Sequence, residues 1–317
     1  MLSRRLIRIK VFKVLFSRVH SQNWEVPGAE EELLASLDKT RQLYFLFLAL
    51  PGALTAYAQE RIDIGLQKFH PSEEEAHPNL RFVQNKAIAS LMHDKVLRAM
   101  QEQSGLNWVE QRPFIKKLFE AIKEQDYFKD YMNAEKEPDF ADDVNLLKYI
   151  FTNELDDNPE LMALLEEMSL FWVDDVAYVC NVVLDKLSEL KPVETQHVIK
   201  HPKLFRAEDD QTFAEQLLAH ALKHYDEYVS YVEKFADHWD MERIAATDMA
   251  IIVLGVSEAV AFPSMPVKVT LNEMVELSKC YSTGNSKLFV NGMLDKIIKF
   301  LMQEGVIVKM GRGLVEK

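Results

Sequence analysis

Long stretches without glycine or proline, in which apolar residues recur every three or four positions, limit most strongly what this chain can fold into. The 317 residues include only 10 glycines and 11 prolines, and 48% are hydrophobic. Spacing of i, i+3, i+4 and i+7 marks one buried face of an α-helix. Residues 161–176 show it in Leu161, Leu164, Leu165, Met168, Phe171, Trp172 and Val176. The sequence therefore predicts an all-α fold with a large core.

Breaks in this periodicity, together with capping residues, predict where helices begin and end. Ser3 is a candidate N-cap of the first helix, and Pro51-Gly52 should end or kink the second. We predict helices over residues 3–19, from 30 past 43, over 53–69, in four or five segments between 82 and 190, and over 211–239, 241–261, 269–281 and 286–302.

The charge is distributed unevenly and suggests three segments. Residues 121–190 hold 18 acidic and 5 basic side chains, a difference of −13 that equals the net charge of the chain. Residues 1–20 hold six basic and no acidic side chains. With a polar linker near residue 75, we predict N-terminal helices over 1–75, an acidic helical insertion over 76–198 and C-terminal helices over 199–317.

Cysteine usage and hydropathy indicate the compartment. Cys180 and Cys280 form a poor disulfide framework and are better explained as reduced core thiols. Basic residues interrupt the apolar start of the chain, so it does not resemble a signal peptide. The most apolar later stretch, residues 245–262, contains charged residues and is too short to span a bilayer. We expect a soluble, cytoplasmic protein with no membrane association.

Residues 243–298 carry an ordered series of features. A helix contains Arg243, Asp248 and Ile251 and ends in Glu258, and a Pro-Val-Lys-Val turn begins at Pro266. Two helices follow, with the sequences Asn-Glu-Met-Val-Glu-Leu-Ser-Lys over 272–279 and Ser-Lys-Leu-Phe-Val-Asn-Gly-Met-Leu-Asp-Lys over 286–296. Taken together, these features resemble the C-terminal half of NusB transcription antitermination proteins. The first helix, with Arg4, Arg5 and Arg8 followed by Leu15-Phe16, resembles the arginine-rich first helix of that family.

The resemblance implies a fold, a function and a set of partners. It implies the all-helical NusB-type antitermination fold, split by the insertion. It also implies a transcription antitermination or elongation factor that binds boxA-like single-stranded RNA together with the NusE-type small-subunit ribosomal protein. The RNA polymerase elongation complex would be the larger partner.

Two surfaces are candidates for RNA contact. At about one hundred degrees per residue, Arg4, Arg5 and Arg8 fall within one third of the first helix, so they can line a strip for phosphates or bases. At the start of the last helix, Ser286 is a candidate cap, Lys287 adds charge, and Phe289 offers a ring for stacking. Leu288 stands where many family members have a basic residue.

Other residues of the resemblance suggest partner contacts or scaffold roles. Phe16 and Asp248 are candidate contacts for the basic ribosomal protein. Asn291 is expected to be a buried amide, and Gly292 is expected to let two helices approach closely. The buried stripe of the last helix is predicted to be Val290, Met293, Leu294, Ile297, Ile298 and Leu301.

Enzymatic functions find little support. The sequence has no glycine-rich phosphate loop, GxSxG, CxxC or HExxH motif, and no segment with the alternating strands and helices of a methyltransferase domain. His220 and His224 lie at i, i+4 spacing, but without a third ligand a surface helix is the more ordinary explanation. We therefore expect no catalysis, no metal and no cofactor.

A second hypothesis is that the chain has the NusB-type fold but does not bind RNA. The acidic middle segment would then dock a basic protein, and the chain would be a helical protein-interaction module. Charge mapping separates the two hypotheses: a continuous basic strip of Arg4, Arg5, Arg8 and Lys287 favours RNA binding, and scattered positions favour the module.

Overall fold

The computed structural model describes residues 1–22, 25–155, 157–195, 198–236 and 244–314. The all-α prediction is confirmed, because these residues form helices and no strand, with a single parallel bridge between Leu2 and Phe205. The α-helices are α1 (Arg4–His20), α2 (Val26–Leu66), α3 (Glu73–Ala76), α4 (Lys86–His93), α5 (Lys95–Ser104), α6 (Arg112–Glu124), α7 (Asp126–Asn133), α8 (Phe140–Ile150), α9 (Pro159–Met168), α10 (Val176–Ser188), α11 (Asp210–Lys223), α12 (Tyr225–Phe235), α13 (Ala246–Ala261), α14 (Val267–Tyr281) and α15 (Ser286–Gln303).

The chain divides into two compact units. The terminal unit comprises Met1–Leu37 and Leu204–Lys317, and the middle unit comprises Asp38–Lys203. The first division falls inside α2. This helix continues through Pro51, so Pro51-Gly52 does not end it; a kink at this point stays a prediction. The assignment of an insertion to residues 76–198, with family segments at 1–75 and 199–317, stays a prediction about how the family domain is split.

Helix α1 begins as its sequence predicts. The Ser3 hydroxyl accepts a hydrogen bond from the Leu6 backbone N–H at 3.3 Å, which satisfies one of the free donors of the first turn. The buried face of α1 is mostly apolar, but it also includes Arg8 and Lys10. A charged group on a buried face needs a partner, and the partner of Arg8 defines much of the candidate site.

Helix α13 is the centre of the terminal unit. It is apolar on nearly all sides, and it packs against α1, α11, α12, α14 and α15. A helix surrounded in this way is buried around its whole circumference. At Gly255, an added Cβ would lie 2.8 Å from Leu294 Cδ2 and 2.9 Å from Met274 Cγ. The close approach of three helices therefore depends on Gly255.

The predicted long helix over 211–239 is two helices. Helix α11 ends at Lys223 and α12 begins at Tyr225, with His224 between them outside helical geometry. The predicted end at 239 and the predicted start of the next helix at 241 lie outside the described residues. The following helices, α13 to α15, agree with the prediction to within a few residues where they are described.

The residues after α15 close over the turn between α13 and α14. Lys309 is buried, and its Nζ donates to the carbonyls of Ala259 and Phe262 at 2.8 and 3.1 Å. Met310 N–H donates to the Pro263 carbonyl at 3.0 Å. A cation on the final carbonyls of α13 complements the negative end of that helix.

The middle unit has its own core, which includes buried tryptophans. Trp172 Nε1 donates to the Lys39 carbonyl at 2.7 Å, and Trp108 Nε1 donates to the Leu46 carbonyl at 2.8 Å, so each indole is anchored on the backbone of α2. Cys180 is buried here as expected. The expectation of a core thiol is wrong for Cys280 in the terminal unit, which is exposed. Within the described chain, no helix has the length and apolar character to cross a membrane.

Candidate nucleic-acid interface

Arg4 is held by two acids at the start of α11. Its Nη2 donates to Asp209 Oδ2 at 2.7 Å and its Nε to Asp210 Oδ1 at 3.0 Å, and its guanidinium carbon lies 4.9 Å from the centroid of the Phe213 ring. Burial acts to lower the Arg4 pKa, but the hydrogen bonds to Asp210 and Asp209 outweigh it and raise the pKa. Arg4 thus ties α1 to α11.

Arg5 is the most exposed of the three arginines, with 54% of its side chain accessible. Its Nε and Nη2 donate to Glu273 Oε2 and Oε1 at 3.0 and 2.8 Å, a bidentate pair between α1 and α14. These hydrogen bonds raise the Arg5 pKa. About half of the Arg5 side chain is still exposed, so an anion can approach it.

Arg8 is buried and is not part of a surface strip. Its Nε and Nη2 donate to Glu258 Oε2 and Oε1 at 2.5 and 3.0 Å, and only 3% of the Arg8 side chain and none of the Glu258 side chain is accessible. Thr270 Oγ1 donates to the same carboxylate at 2.7 Å. The expected alignment of Arg4, Arg5 and Arg8 as one exposed strip is therefore wrong, because each guanidinium turns to a carboxylate contributed by a different helix.

The start of α15 is organised by hydroxyl groups. Ser286 is the first helical residue rather than the cap, which is Asn285. The Ser286 hydroxyl donates to Asp248 Oδ2 at 2.7 Å, and hydroxyls of Ser282 and Thr283 lie within 2.9 Å of Ser286 Oγ. Asp248 was a candidate contact for the basic ribosomal protein, but it is buried, so its side chain does not lie on the surface where such a contact would form. A carboxylate beside the positive end of a helix is electrostatically favourable, which explains its burial.

The next residues of α15 face outward to different degrees. Lys287 and Leu288 are exposed, and Phe289 is half-buried at the edge of the apolar stripe. The predicted stripe itself is confirmed, since all six of its residues are buried. Asn291 is exposed rather than buried, and an added Cβ at Gly292 would meet no atom within 4 Å, so both expectations for these residues are wrong.

Phe16 belongs to an aromatic cluster along α1. Its ring centroid lies 6.1 Å from that of Phe12 and 6.3 Å from that of His20, and Phe16 is half-buried. Phe12 contacts the Tyr281 ring at 5.2 Å between centroids, and Lys13 Nζ lies 5.8 Å from the same ring. The sequence did not indicate Lys13 and Tyr281 as part of this cluster. Their contact depends on the packing of α1 against α14, which no local spacing reveals.

His220 and His224 stack on one another, with ring centroids 4.5 Å apart. His224 Nδ1 lies 2.8 Å from Glu227 Oε2. Burial, and the nearby His224, lower the His220 pKa to about 4. Within the described ranges, no group of three or more His, Cys, Asp or Glu side chains is arranged to hold a metal ion.

Comparison with known proteins decides the family. Residues 183–299 match the model described as the NusB family, which covers the C-terminal end of α10 and most of α11 to α15. The transcription antitermination protein NusB of Salinibacter ruber is 41% identical over 110 residues, which are 34% of this chain and 69% of that protein. The chain belongs to the NusB family.

Two further relatives agree with this assignment. The transcription antitermination protein NusB of Thermodesulfovibrio yellowstonii is 38% identical over 91 residues, 29% of this chain and 60% of that protein. The protein of the same name from Chloroherpeton thalassium is 38% identical over 87 residues, 27% of this chain and 41% of that protein. No solved structure matches the chain significantly. The matched model begins at Val183, so it does not include α1 or most of the middle unit.

Proposed function

We propose that this NusB-family chain is a transcription antitermination factor that binds boxA-like single-stranded RNA together with a NusE-type small-subunit ribosomal protein, within the RNA polymerase elongation complex. The observation that carries the proposal is the 41% identity to a protein named for antitermination. The family model spans residues 183–299, which include α13, the central helix of the terminal unit. The proposed role is binding rather than catalysis.

For the RNA surface we propose Arg5, Lys287 and Phe289 as the contacting residues. Arg5 and Lys287 are exposed and can reach phosphates, and the Phe289 ring is only half-buried, so we propose that a base stacks on it. Arg4 and Arg8, which were also candidates, would support the surface by holding α1 on its carboxylate partners. Binding through Arg8 would require breaking a fully buried ion pair, which is costly.

For the protein partner we propose Phe16 as a contact, because aromatic side chains that are partly exposed are frequent anchors of interfaces. Asp248 is buried, so its part in partner binding would be indirect. It would act by holding Ser286 and the preceding turn through the 2.7 Å hydrogen bond.

One observation favours a second candidate function. The guanidinium groups of Arg4, Arg5 and Arg8 all hydrogen-bond carboxylates of the terminal unit itself, so much of the positive charge of α1 is already neutralised. A module that retains the NusB fold and binds proteins without RNA would have this property. The two candidates differ in a single measurable respect, which is affinity for RNA.

The test is a titration of a short boxA-like RNA with the full chain, with and without the NusE-type ribosomal protein, at two salt concentrations. The variants are Arg5→Ala, Lys287→Ala and Phe289→Ala. Lys299→Ala is the matched control, because Lys299 is an exposed lysine of the same helix, more than three turns from Lys287.

For an antitermination factor, the partner raises RNA affinity, higher salt lowers it, and each of the three variants weakens it at least about fivefold, or about 1 kcal/mol. Lys299→Ala should stay within about twofold of the parent. Partner binding without RNA affinity in any condition would instead establish the protein-interaction module. Equal losses in Lys287→Ala and Lys299→Ala would show that the start of α15 is not the RNA surface.

A further inference from the structure

A tyrosine-lined cleft lies between α7 and α8 in the middle unit. It has a volume of about 320 Å³, and its lining includes Tyr127, Tyr131 and Tyr149. Tyr127 and Tyr131 are four residues apart on α7, so both occupy one face of that helix. This volume is at the small end of the range of ligand sites, about 300–1,000 Å³, and suits one or two side chains better than a large cofactor.

The tyrosine rings are fixed in place by their hydroxyl groups. Tyr127 Oη donates to Glu154 Oε1 at 2.9 Å, and Tyr131 Oη donates to Asp143 Oδ1 at 2.6 Å. Burial, followed by these hydrogen bonds to carboxylates, raises the pKa of both phenols. Both hydroxyl groups are thus hydrogen-bonded within the middle unit, so a ligand would interact with the aromatic rings.

Tyr149 supplies an accessible aromatic surface. It is 54% exposed, and its ring is stacked on Tyr127 with centroids 5.5 Å apart and an interplanar angle of 19°. A large aromatic side chain that is half exposed and already ordered by stacking loses little conformational entropy when a partner binds. Such residues are typical anchors of protein interfaces.

The charge around these rings is negative. Asp130 and Asp142 line the cleft and are exposed, against one lysine, Lys136. Behind the rings are the carboxylates of Glu154 and Asp143, which accept the tyrosine hydrogen bonds. In the described part of the chain these acids do not form a group that could hold a metal ion. The chemistry that fits rings and carboxylates together is an organic cation.

We propose that this cleft binds an arginine- or lysine-bearing segment of a partner protein. A guanidinium group would stack on the exposed Tyr149 ring, or an ammonium group would lie over it, and the carboxylates of Asp130 and Asp142 would balance the positive charge. The site lies outside residues 183–299, so it does not depend on the RNA-binding role proposed for the terminal unit.

The probe is a fluorescently labelled hexa-arginine peptide, titrated with the full chain by fluorescence anisotropy at low and high salt, with hexa-glutamate as the opposite-charge peptide. Tyr149→Ala removes the exposed ring, Tyr149→Phe keeps the ring but removes its hydroxyl, and Asp130→Asn removes one negative charge. The matched controls are Phe69→Ala, an exposed ring of the middle unit outside the cleft, and Glu166→Gln, an exposed acid on α9.

The proposal requires hexa-arginine to bind and hexa-glutamate not to bind. Tyr149→Ala and Asp130→Asn should each weaken hexa-arginine binding at least about fivefold, whereas Tyr149→Phe and both controls should stay within about twofold. If Glu166→Gln weakens binding as much as Asp130→Asn, or if Tyr149→Ala has no effect, the peptide is attracted by diffuse charge and the proposal is overturned. Neither result bears on RNA affinity, which is measured separately.

Discussion

Arg8 and Glu258 show how one residue pair can determine the role of a whole helix face. Both side chains are buried, and the pair joins α1 to the C-terminal end of α13. A buried ion pair adds little net stability over an apolar pair, but removal of one partner leaves an uncompensated charge. Arg8 is therefore best understood as the residue that positions α1, with Arg5 on the outside of the same helix.

The first prediction concerns this pair. Glu258→Gln should lower the free energy of unfolding by about 3 kcal/mol, because buried Arg8 loses its hydrogen-bonded carboxylate and keeps only that of Glu273, whose Oε2 lies 3.8 Å from Arg8 Nη1. Urea denaturation measures this change. Asp295→Asn, which removes the exposed partner of Lys299, should change the free energy of unfolding by no more than about 1 kcal/mol. A double variant, Arg8→Met with Glu258→Leu, should be more stable than Glu258→Gln. If the double variant is less stable than the parent, the ion pair contributes net stability.

The second prediction concerns pH. The His220 pKa in the folded chain is about 4, below the ordinary value of 6.5, because burial disfavours the charged ring. Between these values the unfolded chain binds more protons, so stability should fall as pH decreases from 6.5 to 4. Because His220 is only half-buried, we expect a contribution of about 1 kcal/mol.

His220→Phe keeps a ring in the stack with His224 but cannot titrate. As pH falls from 6.5 to 4, the parent should therefore lose more unfolding free energy than His220→Phe does. Gln216→Ala, at an exposed residue of the same helix that has no titratable group, should give a difference that does not vary with pH. A constant difference for His220→Phe as well would show that His220 titrates normally.

At the scale of elements, the terminal unit depends on how closely α13 approaches α14 and α15. The periodic pattern predicted these helices, but the contact between them is set by Gly255, where Leu294 and Met274 occupy the space a side chain would need. Gly292 lies on the outer side of α15 and meets nothing. Two glycines in helices of one unit therefore have opposite roles.

The third prediction uses this contrast. Gly255→Ala should destabilise the protein by about 1–3 kcal/mol, because the new methyl group overpacks three helices. Gly292→Ala should stabilise it by about 0.5–1 kcal/mol, because alanine loses less backbone entropy in a helix. Thermal unfolding of both variants checks the signs. If both variants change the unfolding temperature by the same amount and in the same direction, helix propensity alone determines the stability change. Helix α13 could then move away from α14 and α15 to make room for the methyl group.

At the scale of the whole molecule, charge is separated along the chain. The net charge is −13, and the guanidinium groups of Arg4, Arg5 and Arg8 on α1 hydrogen-bond carboxylates. The proposed phosphate contacts, Arg5 and Lys287, would form only a small positive area. Specific base contacts and the protein partner would then contribute more than general attraction.

The fourth prediction follows from that small area. If Arg5 and Lys287 are the phosphate contacts, the logarithm of the RNA affinity should fall with the logarithm of salt concentration with a slope of about −1.4, from about −0.7 for each phosphate on a single strand. Titrations over a series of salt concentrations measure it. A slope of about −2.8, which corresponds to four phosphates, would show that two further cations, such as Arg4 and Arg8, leave their carboxylate partners to bind RNA.

Local features of the sequence determined much of this protein. Helical periodicity predicted the all-α fold and the buried stripe of α15, and Ser3 predicted the start of α1, because each of these depends on residues within a few turns. The ordered features of residues 243–298 were enough for the family, since they lie inside the matched segment. The break between α11 and α12 at His224 was not predicted, and the predicted helix end at 239 and start at 241 lie outside the described ranges.

Only the tertiary structure decided which of the polar residues are available. Arg8 and Asp248 were expected at the surface and are buried, whereas Asn291 was expected to be buried and is exposed. Arg8 meets Glu258 from 250 positions away, and Asp248 meets Ser286 from 38 positions away. Periodicity identifies the face of a helix on which a residue lies, but burial depends on which distant helix covers that face, and that is fixed only when the helices pack.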